Sequence, residues 1–235
     1  MHPQQHPVVS DDRSVDLPEF ERVEPLSRDR VLRAALGLAD ARGIESVSMR
    51  RLGQELGVEA MSLYHHVSNK NDIRDGIVNI VLHEIEEPAA DSDWRSALHQ
   101  TALSSHEAFV RHRWACVEML RLPTVRPVRL RWMETVPRTL REAGFSPELT
   151  HHAHHAVESY ITGFTLWQLS MPFETQEELA DIAGSALRDI PVDRYPYVVE
   201  HARQHMAPST GDGRSEFEFG LDLVLDGLQR LREAE

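Results

Sequence analysis

Lys70 falls in the first turn of a helix, where a cation opposes the positive end of the helix dipole and gains nothing from folding alone. A phosphate at that position supplies the missing reason, because free backbone N–H groups and the lysine then converge on one anion. A few residues earlier the run Ala60-Met61-Ser62-Leu63-Tyr64-His65-His66 turns Ser62, Tyr64, His65 and His66 outward and Leu63 inward. Donors and apolar tips in that arrangement suit a DNA duplex, where phosphate contacts set register and base-edge contacts carry sequence. Ala60, Met61 and Ser62 form the leading turn, the end that enters a major groove. Met61 fits a thymine methyl, Ser62 is a permissive donor and acceptor, and Arg50 is suited to a bidentate guanine contact.

The elements that must hold these groups follow from caps and glycines. Ser48 caps a short helix with Leu52 and Leu56 inward, and Gly57 ends it in a left-handed conformation. A second short helix is expected over about 59–66, and Ser68 is expected to cap the third. Ahead of them, Val31, Leu32, Ala35, Leu36 and Ala39 make one apolar helix face that stops at Gly43. Ile73, Ile77, Ile80 and Val81 give the helix after Lys70 its own apolar stripe.

This stretch resembles the DNA-binding domain of the tetracycline-repressor (TetR) family. The matching residues are Gly57-Val58, Leu63-Tyr64-His65-His66-Val67 and Ser68-Asn69-Lys70, aligned without a gap. The resemblance extends more loosely to about residue 232, through Glu142-Ala143-Gly144-Phe145-Ser146 and Phe217-Glu218-Phe219-Gly220-Leu221-Asp222. It implies that Ser48, Tyr64, His66 and Lys70 contact phosphates, with His65 at a position often aromatic in the family. It also implies a homodimer on a palindromic operator and a C-terminal domain that senses a small molecule.

The rest of the chain reads as helix after helix. Ser146-Pro147-Glu148 is a strong helix start, with cap, N-terminal proline and first-turn acid together. Thr175-x-x-Glu178 and Ser215-x-x-Glu218 have the spacing of capping boxes. No segment alternates like a sheet, so the expected fold class is all-α. An arm over 1–26, a DNA-binding domain over 27–75 and a ligand-binding and dimerisation domain over 76–235 are the expected units. The arm is proline-rich and acidic, with the composition of disorder.

Residues 1–25 carry a net charge of −4, residues 26–74 carry +2 and residues 75–235 carry −11, within a total of −13 over 235 residues. Only the segment with the reading head is not acidic, so DNA affinity must come from placed contacts rather than a broad basic field. The one cysteine, Cys116, excludes an internal disulfide and fits a reducing cytoplasm. Neither a signal peptide nor a membrane-spanning run is expected from the sequence.

An effector pocket is expected among Trp114, Met119, Leu122, Trp132, Val136, Tyr160, Phe164 and Trp167. Tetracycline-binding family members place a magnesium-holding histidine near the position of Met119. A neutral or weakly polar hydrophobic effector is therefore expected, with no metal or other cofactor. The stripe Leu221, Val224, Leu225, Leu228 and Leu231, with Gly220 and Gly227, is expected to form the dimer interface. The alternative function is an all-α metal-dependent enzyme using the helix around 148–158. There His151, His152, His154 and His155 crowd together and Glu148-x-x-His151 is half a di-iron motif. No second copy of that motif occurs. His201 and His205 have Ala202 where a metalloprotease needs glutamate.

Overall fold

The computed structural model describes residues 25–89, 91–121, 127–172, 176–206 and 214–235. Among these the chain is all-α, with no strand. Helix α1 (Arg28–Arg42) starts at Ser27, whose hydroxyl accepts the Arg30 N–H, and Gly43 ends it at φ 79°. A 3₁₀ turn, Ile44–Ser46, leads into α2 (Met49–Leu56). Ser48 caps α2 by accepting from Arg51 N, and Gly57 ends it at φ 68°, the left-handed geometry its type suits.

Helix α3 is shorter than expected, Ala60–Leu63, and the chain turns through His66. Helix α4 (Lys70–Glu84) is capped by Asn69 rather than Ser68. The Asn69 side chain accepts Asp72 N at 3.0 Å, while the Ser68 N–H instead donates to the Asp72 carboxylate at 2.8 Å. With Asn69 as cap, Lys70 is the first residue of the helix.

Helix α5 (Trp94–Arg111) runs through the middle of the C-terminal part, against α4, α7, α8 and α11. Around it lie α6 (Ala115–Arg121), α7 (Pro127–Glu142) and α8 (Pro147–Ser170). Then follow α9 (Gln176–Asp189), α10 (Pro196–Met206) and α11 (Glu216–Glu233). Ser146 caps α8 as its type and place foretell, and the Ser215–Glu218 capping box at the start of α11 is fully formed. Thr175 of the other expected box lies outside the described residues.

One buried apolar cluster joins both ends of the molecule. It runs from Val31, Leu52 and Leu63 through Ile77 and Val81 of α4 to Phe109, Phe145, Ile161 and Phe217. Trp94 meets Phe145 edge-on with ring centroids 5.0 Å apart. Helix α4 thus belongs to the reading head by its first half and to the body by its second.

Most of the α11 stripe is covered within the chain. Leu221, Leu225 and Leu228 are buried in the chain's own core, and Val224 is half-buried against it. They close the body of the chain itself. A Cβ at Gly220 would meet the Tyr160 ring at 2.9 Å, so that glycine admits a side chain of the same molecule. The large apolar side chains α11 leaves uncovered are Phe219, Leu223 and Leu231.

Candidate nucleic-acid interface and effector core

The α2–α3 corner is tight because Gly53 has no side chain. A Cβ there would lie 2.8 Å from the Val58 carbonyl oxygen and 3.1 Å from Ala60 N. Val58 N also donates to Gly53 O at 2.9 Å, which fixes the angle between the two short helices. The sequence reading missed Gly53, although a glycine inside an eight-residue helix signals a close backbone approach.

On that corner the side chains differ in exposure. Met61 is 71% exposed and Tyr64 48%, both unusual for large side chains with an ample core beside them. His65 and Arg50 are exposed, and Ala60, Ser62 and His66 are half-buried, while Leu63 and Val67 are buried. Ser48 accepts from Arg51 N with one lone pair, and its O–H remains a donor. Lys70 has a partner in the folded chain, contrary to its expected isolation: Nζ lies 3.7 Å from Glu45. Arg74, one turn on, donates to the same Glu45 at 2.7 Å and holds its carboxyl below the usual range.

Further ion pairs hold the head together and join it to the body. Arg28 clamps Asp72 with both terminal nitrogens and donates to His66 O at 3.2 Å. Glu118 of α6, almost fully buried, faces Arg74 at 3.6 Å and Arg121 at 3.3 Å.

The expected effector residues do not all converge. Tyr160, Phe164 and Trp167 form a ladder on α8, with rings 5.8 Å and 5.4 Å apart. Phe217 of α11 joins it, and the Tyr160 hydroxyl donates to Phe217 O at 2.8 Å. His106, which the sequence offers only as half of a His-Glu pair with no second histidine at metal-ligand spacing, stacks on Phe217 with centroids 4.1 Å apart and pairs with Thr165 Oγ1 at 2.8 Å. Thr165 donates its own proton to Ile161 O, so His106 Nδ1 is the donor of the pair. Burial pushes the His106 imidazole pKa down, against a smaller opposing bond with Gln168.

Met119 and Val136 are buried and Trp132 is half-buried, on α6 and α7. Leu122 lies outside the described residues. Trp114 donates its indole N–H to Asp40 of α1 at 2.7 Å, on the side of the head. A groove of about 450 Å³ along α1 and α4, lined by Arg28, Leu32, Gly76, Asn79, Ile80, His83 and Glu84, contains none of the expected residues.

Comparison with known proteins bears on the whole arrangement. Residues 31–77 match the model of bacterial regulatory proteins of the tetR family, and residues 87–232 match the tetracyclin repressor-like C-terminal domain. The chain belongs to the TetR family. A transcriptional repressor of Streptomyces coeruleorubidus, DrrR1, is 33% identical, over 88% of this chain and 78% of its own. The class D tetracycline repressor protein of Escherichia coli is 32% identical, over 87% and 89%. The Streptomyces coelicolor TetR-family protein ActR, solved in complex with actinorhodin, is 30% identical with a TM-score of 0.70, covering 88% and 97%.

As a TetR-family member the chain is a ligand-responsive, DNA-binding transcriptional regulator and not an enzyme. The histidine-rich stretch of α8 gives the metalloenzyme alternative no support. His151 and His155 stand 4.7 Å apart, and His154 pairs with Glu158 at 3.3 Å. The described residues contain no group of three ligands able to hold a metal. No described helix is long and apolar enough to cross a membrane.

Proposed function

We infer that this TetR-family regulator is a cytoplasmic repressor whose homodimer reads an inverted-repeat operator. Residues 27–75 supply one head per half-site. The observation that carries this is the solvent-facing set Met61, Tyr64 and Lys70 on a corner locked by Gly53. Tyr64, His66, Ser48 and Lys70 hold phosphates, while Arg50, Ala60, Met61 and Ser62 face base edges.

The second copy docks on the outer faces of α8 and α11. Exposed Ala156, Ser159 and Gly163 permit close helix approach, and exposed Trp167, Phe219 and Leu223 supply apolar area. The effector is a small, largely apolar aromatic molecule held in the body over residues 76–235. Support comes from the aromatic ladder of α8 and from Met119, whose buried thioether is no ligand for magnesium. ActR, the solved relative, holds actinorhodin.

The test is selection from randomised duplex DNA followed by titration with a panel of aromatic polyketides. The reading expects enrichment of an inverted repeat and its release by at least one apolar compound without added metal. Release that required a divalent metal, with apolar compounds silent, would overturn the effector class.

A further inference from the structure

Arg111 ends α5 and His112-Arg113-Trp114 lead into α6, and these four consecutive residues together reach the ends of α1, α4 and α8. Arg111 pairs with Glu84, the last residue of α4. Arg113 donates to Leu169 O at 3.2 Å, near the end of α8. Trp114 donates to Asp40 Oδ1 near the end of α1. His112, 5% exposed, lies between two carboxylates: Nδ1 is 2.9 Å from Asp40 Oδ1 and Nε2 is 3.1 Å from Glu84 Oε2.

Both ring nitrogens can donate together only in the imidazolium, and in that form one cation bridges an anion on the head and an anion at the body end of α4. Charged hydrogen bonds withdrawn from water resist sliding far more than apolar contacts, because breaking one leaves an unpaired charge. The groups around this bridge include no DNA-contact residue and none of the α8 aromatics.

We propose that His112 is a positioning residue that fixes the angle of the DNA-reading head on the body. Through that angle it sets the half-site spacing the dimer accepts. The proposal rests on the dimeric, inverted-repeat reading above. Helix α1 enters the bridge through Asp40, and the first half of α4 is tied to α1 by the Arg28–Asp72 clamp, so the head moves as one piece with Asp40. Removing the bridge leaves each head intact and loosens only its orientation. Arg113 on the α8 carbonyl gives the same corner a hold on the helix that carries the aromatic ladder.

The probes are the best inverted repeat selected from random DNA, the same duplex with one base pair added to or removed from its centre, and a single half-site. For the wild type, each spacing change is expected to cost about tenfold in affinity, since the spacing of half-sites mirrors a fixed geometry. In His112→Phe that cost is expected to fall to about threefold or less, with single half-site affinity unchanged. Glu84→Ala, which leaves the Asp40–Trp114 bond in place, breaks the same bridge at its other end should the buried phenylalanine prevent folding, and is expected to relax spacing likewise. Variants that keep the wild-type spacing penalty, or that weaken equally on every duplex including the half-site, would overturn the proposal. A wild type indifferent to spacing would instead overturn the dimeric reading beneath it.

Discussion

Asp72 receives both terminal nitrogens of Arg28, at 2.9 and 2.7 Å, and so ties the first helix of the head to the start of the helix that carries Lys70. The same carboxylate accepts Ser68 N, which leaves Asn69 to cap α4. Ser68 was the expected cap, and its N–H bond to the Asp72 carboxylate places it one residue ahead of the actual cap.

Asp72→Asn is therefore expected to destabilise the head modestly, by ~1 kcal/mol, since Arg28 is nearly half exposed and solvent screens the pair. Operator affinity should fall further than stability does, because Lys70 loses its fixed place at the helix start. Thermal melting and operator titration on one preparation compare the two.

Gly53→Ala forces a methyl against the Val58 carbonyl, a backbone atom that cannot swing away. The expected cost is about 1–3 kcal/mol, with operator binding lost before the fold. Chemical denaturation beside a binding isotherm would show the separation.

Leu223→Glu and Leu225→Glu should part company. Leu223 is 59% exposed and Leu225 fully buried. The first is expected to yield folded monomers at low micromolar concentration. The second should unfold the body, because an unpaired charge in the core costs ~3 kcal/mol or more. Sedimentation and circular dichroism distinguish them; a dimeric Leu223→Glu would disprove the proposed face.

Stability should depend on pH through His106. Its folded pKa is depressed by burial below the ordinary 6.5, so the unfolded chain binds the proton first as pH falls. The neutral imidazole's contribution is complete above pH 6.5 and declines as pH drops through 6.5 toward the folded pKa. His106→Phe is expected to flatten the change in melting temperature across that window relative to wild type.

The head was legible because its signals are local. Ser48, Gly57 and the inward Leu63 each state a backbone geometry within a few residues of themselves, and the structure follows them. The body was legible as helices but not as surfaces. Leu221, Leu225 and Leu228 announce that one face of α11 is buried, and helical spacing says nothing about whether the chain's own α5 and α8 or a second copy covers it. Trp114 shows the same limit: an aromatic near a pocket wall reads as lining, yet its partner Asp40 lies 74 residues away. The place of His106 in the aromatic core was not legible, because it comes from Phe217 and Thr165, which only the packing brings together.

The central claim is that two copies of this chain read one inverted repeat through α3 and the start of α4. Its most direct test is selection from randomised duplex DNA with wild type, Lys70→Ala and Arg50→Ala, scored for affinity across the whole library. The account predicts a twofold-symmetric site for the wild type. Lys70→Ala should weaken every sequence alike and reduce the salt slope by about one, whereas Arg50→Ala should relax preference at one position per half-site at ~1–3 kcal/mol. Enrichment of no symmetric site, or uniform loss from both variants, would contradict it.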